Sequence, residues 1–385
     1  MTITSINLHK QFTTRFGATG IEIHAPGRIN IIGEHTDYND GFVLPAAVDK
    51  TCKFIIQKSG SSKCSMIALD INEEYDFDIT DDIIPVSQQW ANYFLGIIAQ
   101  LKRSRYDLKG FNLLFSSNIP IGAGMSSSAA LACGFGLSLS ELFELQIPKI
   151  DIVKMGQLAE HEFTGVKCGI MDQFASTFGQ KDAVIFLDCR SLQYRYVAAN
   201  FQDYQLVLLD SNVKHNLADS EYNIRKSQCE EGAQAIHQIN PDVNSLRDAS
   251  LAELDLAKAS MTNIVYNRCK YVIEEITRVQ AASTALEEGD IKELGRLIFE
   301  THDGLRHLYE VSCKELDVLV DLAKAHQAVI GARVMGGGFG GCTINLIKKG
   351  KVEEVIHSFS NAYFSKTGIK LKNYQVSISD GIRIL

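Results

Sequence analysis

The chain lacks what would mark it for export, membrane insertion or nucleic-acid binding. Met1 to Phe12 hold no apolar core of the signal-peptide kind, and no later run is long enough to cross a bilayer. The nine cysteines include no Cys-x-x-Cys pair, and an odd number cannot close a complete disulfide framework, so reduced thiols and a cytoplasmic setting are expected. Lys102, Arg103 and Arg105 form the richest basic cluster, a short one that reads as a solvated helix end. With a net charge of −8, no nucleic-acid or anionic-membrane partner is expected. Repeats, low-complexity tracts and flexible linkers are missing too, which makes any domain boundary tight.

What is present is an ordinary globular composition, 45% hydrophobic and 22% charged, in 385 residues. That length exceeds what one core usually organises, so two lobes are expected, 1–205 and 206–385, with the ligand site in the cleft between them. Texture supports the division. Short apolar runs of β type dominate the first part, as in Lys53 to Gln57, Gly110 to Phe115, Ala183 to Leu187 and Leu206 to Leu209. From Leu217 to Gln327 the apolar spacing turns helical, notably over Ile264 to Leu286 and Lys314 to Ala323. Strands at Ala328 to Met335 and Thr343 to Ile347, a helix near Val352 to Phe364 and a strand near Asn373 to Ile378 complete an α+β pattern.

The segment Pro120-Ile121-Gly122-Ala123-Gly124-Met125-Ser126-Ser127-Ser128-Ala129-Ala130 follows a strand and opens a helix of small residues. Glycines let the backbone approach an anion, and the free amides and dipole of a helix N-terminus hold it. The Gly-Lys-Ser/Thr ending of a Walker A loop is missing, so amides and serines must cradle any phosphate. Ser126 to Ser128 are equally natural helix caps. A second glycine cluster, Gly336 to Gly341, formally fits a dinucleotide fingerprint, but a strand follows it where that fingerprint needs a helix. It reads either as a tight hairpin or as a backbone wall against the nucleotide or the phosphate loop.

Near the N-terminus, Gly27-Arg28-Ile29-Asn30-Ile31-Ile32-Gly33-Glu34-His35-Thr36-Asp37-Tyr38-Asn39 packs polar groups between apolar strands. Glu34, His35 and Asp37 offer acceptors and a donor for sugar hydroxyls, and Arg28 offers a fork for phosphate. A plain polar turn or a cation held by Glu34 and His35 are the duller readings, the second without a supporting histidine cluster. Further on, Glu160 ends an amphipathic helix and Asp172 begins another element. Phosphoryl transfer needs one carboxylate for Mg²⁺ and often another to orient or deprotonate the attacking hydroxyl. Glu160 suits the first role and Asp172 the second, against an exposed helix glutamate and a helix cap.

Together these segments resemble the galactokinase family of the GHMP superfamily, in motif order, from Ala25 to Thr343. The 27–39 segment is similar to the family's sugar signature, Pro120 to Ala130 to the shared ATP motif, and Ala332 to Thr343 to the glycine-rich third motif. The resemblance implies a two-lobed α+β GHMP kinase fold with ATP and Mg²⁺ as cofactors and galactose phosphorylated at its C1 hydroxyl. It implies Asp172 as base and Arg28 as the group that lowers the pKa of the sugar oxygen and stabilises phosphoryl charge. Glu34, His35, Thr36, Asp37, Gly169 and Tyr222 would hold the sugar. Gly122, Ala123, Gly124, Met125, Ser126, Ser127 and Ser128 would wrap the triphosphate, with Ser128 and Glu160 on Mg²⁺. Trp90 and Tyr93 would line the adenine pocket, unless Trp90 is plain core. Met125 stands where the family has leucine, a change that keeps volume and apolarity. Two rivals share the resemblance: a kinase of N-acetylgalactosamine or a related sugar, and a galactose and ATP sensor without turnover, whose ATP motif is usually damaged. A monomer is expected.

Overall fold

The computed structural model describes residues 5–213 and 218–385. After helix α1 (Ser5–Phe16) come strands β1 (Ile21–Asn30), β2 (Phe42–Val43), β3 (Pro45–Lys58), β4 (Lys63–Ala68) and β5 (Glu73–Asp78). Helix α2 (Gln89–Arg103), strand β6 (Phe111–Ser117) and helices α3 (Ser127–Leu142), α4 (Lys149–Ala159) and α5 (Met171–Phe178) follow. Strands β7 (Ala183–Asp188), β8 (Tyr194–Ala198) and β9 (Tyr204–Asp210) lead to helices α6 (Ala218–His237), α7 (Leu251–Ala257), α8 (Asn263–Glu288), α9 (Ile291–His307) and α10 (Lys314–Lys324). The chain then forms β10 (Val329–Val334), β11 (Cys342–Lys348), α11 (Val352–Thr367), β12 (Lys372–Gln375) and β13 (Arg383–Ile384).

Three sheets result, with strand orders β13-β1-β3-β6-β4-β5, β10-β11-β9-β12 and β2-β7-β8. The first belongs to the N-terminal half and the second to the C-terminal half, as the expected α+β architecture requires. The last segment crosses back: β13 pairs antiparallel with β1, and Ile382 N–H bonds the Ser176 carbonyl at 3.0 Å. The chain end therefore staples the second half to the first. β9, just at the division expected near 205, lies wholly in the second sheet.

Strand β1 is buried along almost all its length because the sheet has a neighbour on each side of it and α3 on its face. That helix is rich in small residues for a physical reason. A Cβ at Gly134 would sit 2.5 Å from the Phe54 ring and 2.7 Å from the Ala25 methyl, so only glycine lets the helix settle on β1 and β3. The interior there is aromatic, with Phe94 meeting Phe135 at 4.9 Å and Phe115 at 5.1 Å, both edge to face. The same core continues through Val279 and Leu297 to Ile344, so the two halves share one apolar interior. The longest helix, α8, starts where Thr262 accepts the Val265 N–H at 3.2 Å and stops at Gly289, whose φ of +73° suits a glycine terminator.

Candidate active site

Arg28 owes its direction to a bulge. The β1–β3 register slips between Pro26 and Arg28, and the extra residue is Gly27, where a Cβ would lie 2.7 Å from the Met125 carbonyl. The Arg28 N–H bonds that carbonyl at 3.0 Å, tying the strand to the glycine turn that precedes α3. Its guanidinium then grips Asp172 in bidentate fashion, Nε to Oδ1 at 2.7 Å and Nη2 to Oδ2 at 2.8 Å, while Nη1 donates to the Gly124 carbonyl. Ser126, left-handed at φ +53°, donates its hydroxyl to Asp172 Oδ2. Arg28 is buried and Asp172 is 23% exposed, in the first turn of α5. Burial opposes the charge of Arg28, yet Asp172 and Glu34 outweigh it and raise its basicity.

Beside this pair, the end of β1 runs into the loop that carries Glu34, His35 and Asp37. Glu34 is fully engaged: its Oε1 accepts from Arg333 Nη1 at 2.7 Å and Gly336 N–H at 2.8 Å, and its Oε2 accepts from Asn30 at 3.0 Å. Burial pushes its pKa up, but Arg333 and Arg28 prevail and hold it below the usual value. His35, at φ +64°, rests its ring against Tyr222 and Tyr309 at 5.4 and 4.7 Å, and its buried Nε2 has no hydrogen-bond partner. Burial lowers its pKa to about 4, so the imidazole is neutral at physiological pH. Asp37 is lifted to about 7 by burial and by the nearby carboxylates of Asp172 and Glu34.

The glycine cluster proves to be both of the things its sequence allowed. It joins β10 to β11, and it presses on the turn before α3: a Cβ at Gly341, where φ is +76°, would stand 3.1 Å from the Gly122 carbonyl. Two glycine turns thus meet face to face, with backbone amides and the α3 N-terminus exposed to a cleft of about 710 Å³. Glu160 enters the cleft where α4 widens into a π turn, Glu160–Thr164. Burial and the charge of Asp172 raise its carboxyl to about 7, with Ser128 and Gln173 as its hydrogen-bond partners. A buried carboxylate with only neutral donors beside it, next to a hydroxyl, fits a hard divalent cation that takes its remaining ligands from phosphates and water. Among the described residues no group of three or more His, Cys, Asp or Glu could hold a metal by itself.

Most of the residues expected at the site line this one cleft: Arg28, Glu34, His35, Asp37, Tyr93, Gly122, Gly124, Met125, Ser126, Ser127, Ser128, Glu160, Asp172 and Tyr222. Four do not. Thr36 turns its hydroxyl to the carbonyls of Gly33 and Phe42, at 2.9 and 2.7 Å, and shapes the loop from within. Ala123 is fully buried beneath the turn. Gly169 packs on Asp37, whose Oδ2 would be 2.0 Å from an added Cβ. Trp90, half-buried, donates its indole N–H to Glu73 at 2.6 Å and packs its ring on Phe94 and Phe115 at the edge of the core.

Sequence reasoning missed Arg333. Entirely buried, it donates to the Ile31 and Asn30 carbonyls at 2.9 and 2.6 Å as well as to Glu34, and so holds the sugar-signature loop from the second lobe. A lone arginine inside the apolar strand Val329–Val334 was the available signal. Glu275 was missed too. It sits fully buried on α8, accepts the Gly33 N–H at 2.9 Å and pairs with Arg278. Nothing in a helix of mixed polarity marks such a residue beforehand.

Three family models match the chain: the galactokinase galactose-binding signature over residues 10–58, the GHMP kinases N terminal domain over 92–180 and the GHMP kinases C terminal over 282–366. A galactokinase of Thermosipho africanus is 41% identical over 362 residues, 94% of this chain and 99% of that protein. One of Clostridium beijerinckii is 39% identical over 385 residues, 98% and 99% of the two chains. The crystal structure of Lactococcus lactis galactokinase complexed with galactose superposes with a TM-score of 0.94 at 33% identity, covering 98% of this chain and 99% of that one. A mevalonate kinase shares the fold alone, with a TM-score of 0.61 at 19% identity.

Proposed function

The chain belongs to the galactokinase family of the GHMP kinases, ATP-dependent enzymes that phosphorylate galactose, and on that premise we propose how its own residues carry the reaction. The observation that carries the reading is the bidentate Arg28–Asp172 pair held against the glycine turn before α3. Galactose enters with its C1 hydroxyl at Asp172 and its other hydroxyls toward His35, Asp37 and Tyr222. His35 Nε2, buried and unpartnered, and Asp37, raised to about 7, are polar groups that a polyol would satisfy. Glu34 acts mainly as a brace, since Arg333, Gly336 and Asn30 already occupy its oxygens.

ATP lies with its phosphates on the amides of Gly122 to Ser128, where the α3 dipole and the Ser126 to Ser128 hydroxyls favour negative charge. Asp172 takes the proton of the C1 hydroxyl, the C1 oxygen forms its bond to the γ-phosphorus, and the bond to the β,γ-bridging oxygen breaks, giving galactose 1-phosphate and ADP. Arg28, poised between the two substrates, lowers the pKa of the attacking oxygen and balances charge on the transferred group. Magnesium, when bound with ATP, neutralises phosphate charge, and Ser128 with Glu160 are the residues that would hold it. Positioning and charge provide most of the acceleration, and proton transfer adds about 10²- to 10⁴-fold.

Every group in this scheme comes from one chain, so a monomer suffices. All nine cysteines are unpaired, which suits a cytoplasmic enzyme. Among the described residues no helix is long and apolar enough to cross a membrane. An assay of ADP release with galactose, glucose, N-acetylgalactosamine, arabinose and mevalonate tests the reading. Galactose is expected to dominate. Preference for N-acetylgalactosamine would reassign the acceptor, and ADP release with none of them would point to a sensor.

A further inference from the structure

We propose that Tyr309 and Tyr38, in a hydrogen-bonded chain that ends at Cys229, fix the tautomer and orientation of His35 so that its Nε2–H donates to one sugar hydroxyl. The inference rests on the reading of His35 as a sugar contact and assigns positioning residues behind it. His35 Nδ1 lies 2.8 Å from the Tyr38 hydroxyl, which lies 2.7 Å from the Tyr309 hydroxyl, which lies 3.2 Å from Cys229 Sγ. Tyr309 and Cys229 are buried, and none of Tyr38, Tyr309 and Cys229 lines the catalytic cleft. These three residues come from the sugar-signature loop, the segment after α9 and helix α6, so the chain joins three parts of the fold behind one imidazole.

The direction of the protons follows from donor and acceptor strength. A phenol O–H is a better donor than an imidazole N–H, and an imidazole nitrogen accepts better than a phenol oxygen. Tyr38 therefore donates to Nδ1, Tyr309 donates to Tyr38, and the weak S–H of Cys229 donates to Tyr309. Asn39 donates its amide to the His35 carbonyl at 2.8 Å and so holds the loop backbone behind the ring. With Nδ1 occupied as an acceptor, the neutral ring must carry its proton on Nε2, an atom buried without a geometric partner in a residue that lines the cleft. The Gly337 backbone in the second glycine turn favours a proton on the ring, in keeping with Nε2–H, and is the acceptor that a sugar hydroxyl would share or replace. Ring contacts at 4.7 Å to Tyr309 and 5.4 Å to Tyr222 restrict a flip of the imidazole.

The test compares galactose with its 2-, 3-, 4- and 6-deoxy analogues as substrates of the wild type, His35→Ala and Tyr309→Phe. In His35→Ala the penalty for one deoxy sugar should vanish, which identifies the hydroxyl concerned. Tyr309→Phe keeps the ring and the packing, and should shrink that same penalty about 3- to 30-fold. The KM for galactose should rise to match, with kcat, the KM for ATP and the other deoxy penalties unchanged. A Tyr309→Phe enzyme that retains the full penalty, or that loses affinity for all five sugars alike, would overturn the proposal. Should that variant fail to fold, Tyr38→Phe carries the same expectation. If His35→Ala leaves every deoxy penalty intact, the sugar-contact reading of His35 fails first, and the proposal with it.

Discussion

Replacing Arg333 with methionine removes a cation that the fold has entirely enclosed. The side chain is 0% exposed and its partner Glu34 is 1% exposed, so water cannot take over when the guanidinium is lost. Four acceptors each lose a donor together: the Glu34 carboxylate and the carbonyls of Ile31, Asn30 and Val334. Breaking one side of such a pair typically costs about 3–5 kcal/mol, a large share of a net stability of about 5–15 kcal/mol. The pH dependence has a definite sign. In the wild type the pKa of Glu34 is held down, so its contribution is present above the unfolded value of about 4.5 and fades as pH falls. In the variant, burial without Arg333 favours the protonated acid, so the deficit is widest near neutral pH and narrows toward pH 5. Urea unfolding of both proteins at pH 5 and pH 7.5 measures this directly. A loss under 1 kcal/mol at pH 7.5, or the same loss at both pH values, would refute the reasoning.

Three further expectations follow from the same geometry. Glu160, raised to about 7, must lose its proton to hold a cation, so the apparent affinity for MgATP should fall by up to tenfold per pH unit below 7, a slope that Glu160→Gln abolishes. Gly341→Ala adds a methyl 3.1 Å from the Gly122 carbonyl in a left-handed conformation, and should cost about 1–2 kcal/mol in a thermal melt and raise the KM for ATP more than that for galactose. Asp37, protonated below about 7 in the free protein, should make galactose binding by calorimetry release or take up protons when two buffers of different ionisation enthalpy are compared at pH 7.

Much of the architecture was legible because its signals are local. The strand–glycine–helix order around Pro120 to Ala130 and the apolar period of α8 are written in adjacent residues, and the Thr262 cap and the Gly289 stop mark the limits of α8. The polar cassette at 27–39 announced itself by its density of charge, and Arg28 and Asp172 do meet, though 144 residues apart. What stayed hidden depends on contacts between distant segments. Arg333 reaches Glu34 across 299 positions, and β13 returns to β1 from the chain's end. Neither partner's sequence neighbourhood encodes the other. Trp90 was hard to read for a related reason: an aromatic residue beside cleft-lining Tyr93 can point either way along a helix, and its packing on Phe115 is written in a distant segment.

Asp172→Asn bears most directly on the catalytic scheme, because the amide keeps the size of the side chain and removes its capacity to take a proton. Single-turnover formation of galactose 1-phosphate should slow by about 10²- to 10⁴-fold while the Kd for galactose moves only a few-fold. Turnover near the wild-type rate in that variant would contradict the assignment of Asp172 as the base.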